Sequence, residues 1–132
     1  MFQVRKLIES DYDTLVDWFK WFRFTVPPKE MLPQNGCGGI MVHKEVDICA
    51  GFIYRTDSQI CWMEFIISNP NYRESDRAEA IKFLIESLSS IAKSMGYSII
   101  FTSVKEEHLI NHLKKCGFTI EKGTSKEMVK AL

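Results

Sequence analysis

The sequence is short of most features that announce a function. Its 17 basic residues balance 17 acidic ones, and no block of like charge stands out. That balance argues against nucleic acid or an anionic membrane as the main partner. No apolar run approaches the length that spans a bilayer. No secretory leader is read at the start, where residues alternate and carry Arg5 and Lys6. Cys37, Cys49, Cys61 and Cys116 show no CxxC spacing. Cys49 and Cys61 fall inside apolar stretches, where a reduced thiol behaves as a small hydrophobe. A reducing, cytoplasmic setting without a disulfide frame is expected. Gly-x-Ser-x-Gly, Walker A and dinucleotide-glycine signatures are all missing, as are repeats and low-complexity tracts. No cysteine has an activating environment that would support nucleophilic chemistry.

What is present is an ordinary core-forming composition, 45% hydrophobic and 26% charged. At 132 residues it predicts one domain, residues 1–132. The chain is organised around Ile60 to Met95. Residues 60–68 are apolar in both alternation sets, with Glu64 the one charge. Ile60, Trp62 and Ile66 are expected on one face, and Cys61, Met63, Phe65 and Ile67 on the other. Such a strand is covered on both sides and lies centrally in a sheet. Asn69-Pro70-Asn71-Tyr72-Arg73 is a breaker cluster. A long helix follows from about Asp76, with one apolar stripe from Ala78 to Met95 and Gly96 at the cap.

Upstream, Met1–Ile8 predicts a strand. Ser10 with Asp13 is a capping pair for a helix over 11–22, whose buried stripe is Leu15, Trp18, Phe19 and Phe22. Trp21 lies off the stripe, either at the core edge or in a cleft. Residues 24–39, rich in proline and glycine, predict an irregular connection that packs down through Val26, Met31 and Leu32. Residues 39–44 and 46–55 predict a hairpin leading into the central strand. Downstream, Tyr97–Ser103 predicts a strand parallel to the central one, because the helical crossover is long. A helix over 105–115 and a hairpin (118–122 with 127–132) complete the chain. The fold class expected is α/β (α+β in some schemes), a mixed sheet in the order β-α-loop-β-β-β-α-β-α-β-β.

This order, with a strand running Trp62-Met63-Glu64-Phe65-Ile66-Ile67-Ser68-Asn69-Pro70 and a late helix ending His112-Leu113-Lys114-Lys115-Cys116-Gly117-Phe118, resembles the GNAT superfamily of acetyl-CoA-dependent N-acetyltransferases. The likeness runs over essentially the whole chain, and the short N-terminal half is similar to compact, phage-type members. It implies a cofactor, acetyl-CoA, and an amine acceptor that is a small molecule or a protein. It also implies a homodimer built through the C-terminal strand or the aromatic helix.

By motif position the resemblance assigns cofactor binding to Ile66, Ile67, Ser68, Arg73, Ser75, Asp76, Arg77 and Ala78. In the family, the turn after the fourth strand holds the pyrophosphate on backbone N–H groups at a helix N-terminus. Arg73 and Ala78 match that motif, whereas Asp76 stands where a glycine is usual. Asp76 is expected to cap the helix and occupy the N–H groups a phosphate needs. The N–H groups of Ile66 and Ile67 are candidates to stabilise an oxyanion.

Glu64 is the candidate base, its pKa raised by burial. The alternative is a glutamate paired with a neighbouring-strand cation such as Arg55. The family's acid, a tyrosine, falls by position on Leu113, which donates no proton. His112 beside it is the substitute, or else it lies on the solvated face of the helix. Trp21 and Phe24 are expected to wall the acceptor cleft. His108, His112 and Cys116 recur at i, i+4, i+8, but no carboxylate completes a ligand set and no metal site is expected. The missing glycine and tyrosine motivate an alternative, a GNAT-like binding or structural module without catalysis.

Overall fold

The computed structural model describes all of residues 1–132. Five strands form one sheet in chain order: β1 (Gln3–Lys6), β2 (Gly39–Lys44), β3 (Val46–Tyr54), β4 (Ile60–Ser68) and β5 (Ile99–Phe101). The first four pair antiparallel and β5 joins β4 in parallel. Three α-helices complete the domain: α1 (Asp11–Trp21), α2 (Arg77–Ser94) and α3 (Glu107–Lys115). The crossover that makes β4 and β5 parallel is α2, which at 1.5 Å per residue is about 27 Å long. It ends at Gly96, where a φ of +94° suits glycine.

The sheet separates two cores. Ile40, Val42, Cys49, Cys61 and Met63 pack with Ala80, Leu84, Ile85 and Leu88 of α2 and Leu113 of α3. On the opposite face Leu15, Trp18 and Phe19 of α1 pack with Met41, Ala50, Phe52 and Ile67. The α1 stripe is therefore the one its spacing predicts. Its N-terminus differs. Ser10 makes no side-chain cap; Asp11 instead ties the start of the helix back to β1 and the residues between. The Asp11 carboxylate accepts the Ile8 N–H at 2.7 Å and both Arg5 guanidinium nitrogens at 2.8 and 2.9 Å.

Three sequence expectations are corrected here. The face assignment of β4 fails in its second half. Cys61 and Met63 face α2, as alternation requires, but Phe65 and Ile67 pack in the α1 core and Ile66 on the α2 side. The cause is a β-bulge. Ala50 pairs with Ile67 and Phe52 with Glu64, so Phe65 and Ile66 together oppose Gly51. Phe65 takes φ +57°, a costly conformation for a bulky residue, of the kind held by its surroundings at functional sites. Gly51 opposite the bulge leaves little room, since a Cβ would lie 3.0 Å from Leu88 and 3.2 Å from Ile66.

The second correction concerns the C-terminus. Residues after Lys115 form no helix or strand, so the expected terminal hairpin is absent. Ile120, Met128, Val129 and Leu132 are exposed, and with nothing to bury they supply no drive to pair. The third concerns the long connection. It does contain a short 3-10 turn at Lys29–Met31 and buries Leu32, but Met31 points outward.

Candidate functional site

β4 and β5 are paired over only three residues each, Ile60–Trp62 with Ile99–Phe101. Beyond Trp62 the strands part. The Thr102 hydroxyl donates to the Met63 carbonyl, and the Ser103 N–H donates to Glu64 Oε1 at 2.9 Å. Past that point the bulged half of β4 has no neighbour on this side. A cleft of about 600 Å³ opens there. Its wall on the sheet side is Ile66, Ile67 and Ser68, its base Arg73, Arg77, Ala78 and Ile81, and its far wall His108, Leu109 and His112 of α3. Trp21, Phe22 and Phe24 close the end nearest α1.

The turn joining β4 to α2 is fixed by Asn69. Its backbone N–H donates to the Ile48 carbonyl at 2.7 Å, and its amide nitrogen to the Asp47 carbonyl at 2.8 Å. Its side-chain oxygen accepts the Asn71 N–H at 2.9 Å, an Asx turn. This turn sets where α2 begins, and so which N–H groups face the cleft.

Asp76 stands at the N-cap of α2 but does not cap it, contrary to the sequence expectation. Its carboxylate is drawn outward, to Lys44 Nζ at 3.0 Å and the Tyr72 hydroxyl at 2.6 Å. Tyr72 and Lys44 hold the Asp76 carboxyl below its ordinary range. The donation to Asp76 in turn pushes the Tyr72 hydroxyl up to about 12. The physical reason is competition: a tyrosine hydroxyl and an ammonium outbid backbone amides for a carboxylate. The Arg77 N–H bonds the Glu74 carbonyl, whereas those of Ala78 and Glu79 have no backbone acceptor. Two unpaired N–H groups, at the positive end of an 18-residue helix flanked by Arg73 and Arg77, suit an anion.

The other site residues fall out as follows. Ile66, Ile67, Ser68, Arg73, Arg77 and Ala78 line the cleft; Ser75 and Asp76 do not. Trp21 and Phe24 line it as well. Trp21 is 56% exposed and lies under the Arg73 guanidinium, 5.8 Å from the ring centre, so it is not a core-edge residue. Phe22 and Phe24 stack with centroids 5.4 Å apart.

Glu64 sits at the fork of β4 and β5 rather than in the cleft wall. Burial raises its pKa, the Ser103 N–H opposes that rise, and the Glu127 carboxylate adds to it. It makes no ion pair, so the expected alternative with Arg55 is not formed. His112 is half-buried against the cleft, not on a solvated face, and Leu113 is buried in the core. Burial, then His108, then Lys115, lower the His112 pKa, favouring the neutral imidazole.

All four cysteines are free thiols; burial raises the pKa of Cys49 to about 12 and also lifts those of Cys61 and Cys116. No helix is long and apolar enough to cross a membrane.

Sequence reasoning missed Phe65, Asn69 and Lys44. Asn69, directly before Pro70, carried a turn signal that could have been given this role. Phe65 and Lys44 carried none, since one acts through a register shift and the other from a distant strand.

No family model and no curated protein matches this sequence. Solved structures do match in three dimensions. An acetyltransferase from Trypanosoma brucei superposes with a TM-score of 0.67 at 17% identity, over 98% of this chain and 100% of that one. Glucosamine-6-phosphate N-acetyltransferase from Arabidopsis thaliana gives 0.67 at 17% identity, over 98% and 99%. AAC(6')-Iy, solved with the bisubstrate analogue CoA-S-monomethyl-acetylneamine, gives 0.65 at 15% identity, over 99% of both chains. The chain has the fold of the GNAT acetyltransferases.

Proposed function

We propose that the protein is an N-acetyltransferase that takes its acyl group from acetyl-CoA and passes it to an amine. The observation that carries this reading is the cleft between β4 and α3 that ends at the start of α2, on Arg77 and on Ala78, whose N–H has no backbone acceptor. The cleft suits an elongated ligand with an anionic end. That helix end receives a pyrophosphate, with Arg73 and Arg77 supplying the counter-charge. Ile66 and Ile67 flank the apolar arm. Acetyl-CoA supplies an activated acyl group. The chain's own part is to orient that group, exclude water and take a proton from the amine.

The backbone N–H of Ile66, in the bulged segment, is the donor for a developing oxyanion, whereas that of Ile67, in register with Ala50, is turned to β3. His112 in the cleft wall, and Glu64 at the fork acting through a water, are the two groups suited to accept the proton. Burial lifts Glu64 toward the range a base needs, whereas His112 is lowered, which keeps its imidazole neutral but makes it the weaker base. A buried Leu113 in place of a proton donor leaves the departing thiolate to take its proton from water or from His112. That same feature favours the second reading, a GNAT-like module that binds without turnover.

Titration of acetyl-CoA followed by calorimetry and thermal unfolding tests the proposal. A ligand at 100 times its dissociation constant adds about 2.7 kcal/mol of stability. Unfolding unmoved by millimolar acetyl-CoA would rule it out. Binding without acyl transfer to any of a panel of amines selects the module.

A further inference from the structure

His108 and His112 stand one helical turn apart on the cleft side of α3, with their Nε2 atoms 3.4 Å from each other and their ring centres 4.8 Å apart. Neither ring has a carboxylate or backbone partner; the contact with each other is the one polar contact either makes. The spacing matters. Two imidazole nitrogens bound to one tetrahedral ion at about 2.0–2.1 Å stand about 3.3–3.4 Å apart. The pair already has that bite. We propose that His108 and His112 form a two-imidazole chelate for a borderline divalent transition ion, Cu²⁺, Ni²⁺ or Zn²⁺, whose open positions face the cleft.

Several features fit this chemistry. Imidazole binds such ions through the lone pair of a ring nitrogen, and the two Nε2 atoms already face each other. With Nε2 on the ion, each ring keeps its proton on Nδ1. The helix supplies the geometry without a loop to order, since positions i and i+4 lie on one face. No third His, Cys, Asp or Glu is close enough to complete a closed set. The site is therefore open, as in catalytic rather than structural metal centres, and its other positions are filled by water or by a soft donor in the cleft. A pair of imidazole nitrogens suits such borderline ions over hard ones such as Mg²⁺ and Ca²⁺.

The test uses the full chain without any acyl carrier, so that it is independent of the cofactor proposal. Calorimetric titration with Ni²⁺, Zn²⁺ and Cu²⁺ is expected to give one ion per chain, with Cu²⁺ tightest. His108→Asn and His112→Asn should each weaken binding by at least roughly tenfold, and His43→Asn should leave it unchanged. Paramagnetic broadening by Ni²⁺ should fall first on the ring protons of His108 and His112 in the unmodified chain, which guards against a variant that misfolds. Lack of a one-to-one site, or broadening centred on His43 or the cysteines, overturns the proposal.

Discussion

Lys44, at the end of β2, and Asp76, at the start of α2, form an ion pair of 3.0 Å that the Tyr72 hydroxyl reinforces. The pair holds a carboxylate at the mouth of an anion-suited helix end without letting it occupy the amides. Removing the cation while keeping the acid should therefore weaken anion binding. In Lys44→Met, affinity for acetyl-CoA should fall roughly two- to fivefold, with a smaller loss at high salt. Asp76→Gly should shift it the other way. Calorimetry on the two variants decides the point; identical affinities would mean that this turn does not sense the ligand.

Gly51 faces the bulge, and its hydrogen stands where a methyl would press on Leu88 and Ile66. Gly51→Ala should cost about 1–3 kcal/mol by overpacking, read from the urea midpoint. The strain falls on Ile66, so acetyl-CoA affinity should fall with stability. A variant as stable as the parent would show that the two core sides yield more easily than their packing suggests.

Glu64→Gln keeps the oxygen that receives the Ser103 N–H, and so keeps the fork of the strands. With Glu64 as the base, acyl transfer should drop about 100-fold or more with acetyl-CoA binding intact. The parent's rate should also rise with pH through a value above the ordinary glutamate range, since burial raises this carboxyl. A pH–rate profile unchanged in Glu64→Gln would move the role to His112.

Asp11 is 5% exposed and carries a lowered pKa, first through Arg5, with the Ile8 N–H acting in the same direction against burial. Its folded pKa lies below the unfolded one. The stability it contributes is therefore full above the ordinary aspartate range near 4 and is lost as pH falls through the lower folded value. Asp11→Asn should cost about 1–2 kcal/mol at neutral pH, the half-exposed Arg5 side being screened. Its gap from the parent should close in acid. Urea midpoints measured from pH 7 down to pH 3 check both; a gap independent of pH would assign the effect to packing.

Much of the fold was legible because its signals are local. The α1 stripe, the middle of the α2 stripe from Ile81 to Ala92, the β2–β3 hairpin and the parallel β4–β5 crossover follow from spacing, turns and crossover length, whereas Ala78 and Met95 at the ends of the α2 stripe are exposed. What escaped was set by distant partners. Nothing near Asp76 in sequence tells that Lys44, 32 residues earlier, turns its carboxylate aside. Nothing in residues 60–68 marks an extra residue, since Phe65 reads as an ordinary apolar strand position. The terminal hairpin was over-read because alternation alone does not supply a surface to pair against.

The displaced phase of β4 has a mechanical meaning. One residue, Phe65, divides a single strand between two hydrophobic compartments, so that Met63 is clamped by α2 while Ile67 is clamped by α1. The same backbone is thereby anchored from both sides of the sheet. The peptide group of Ile66, which borders the cleft, sits where those two compartments meet.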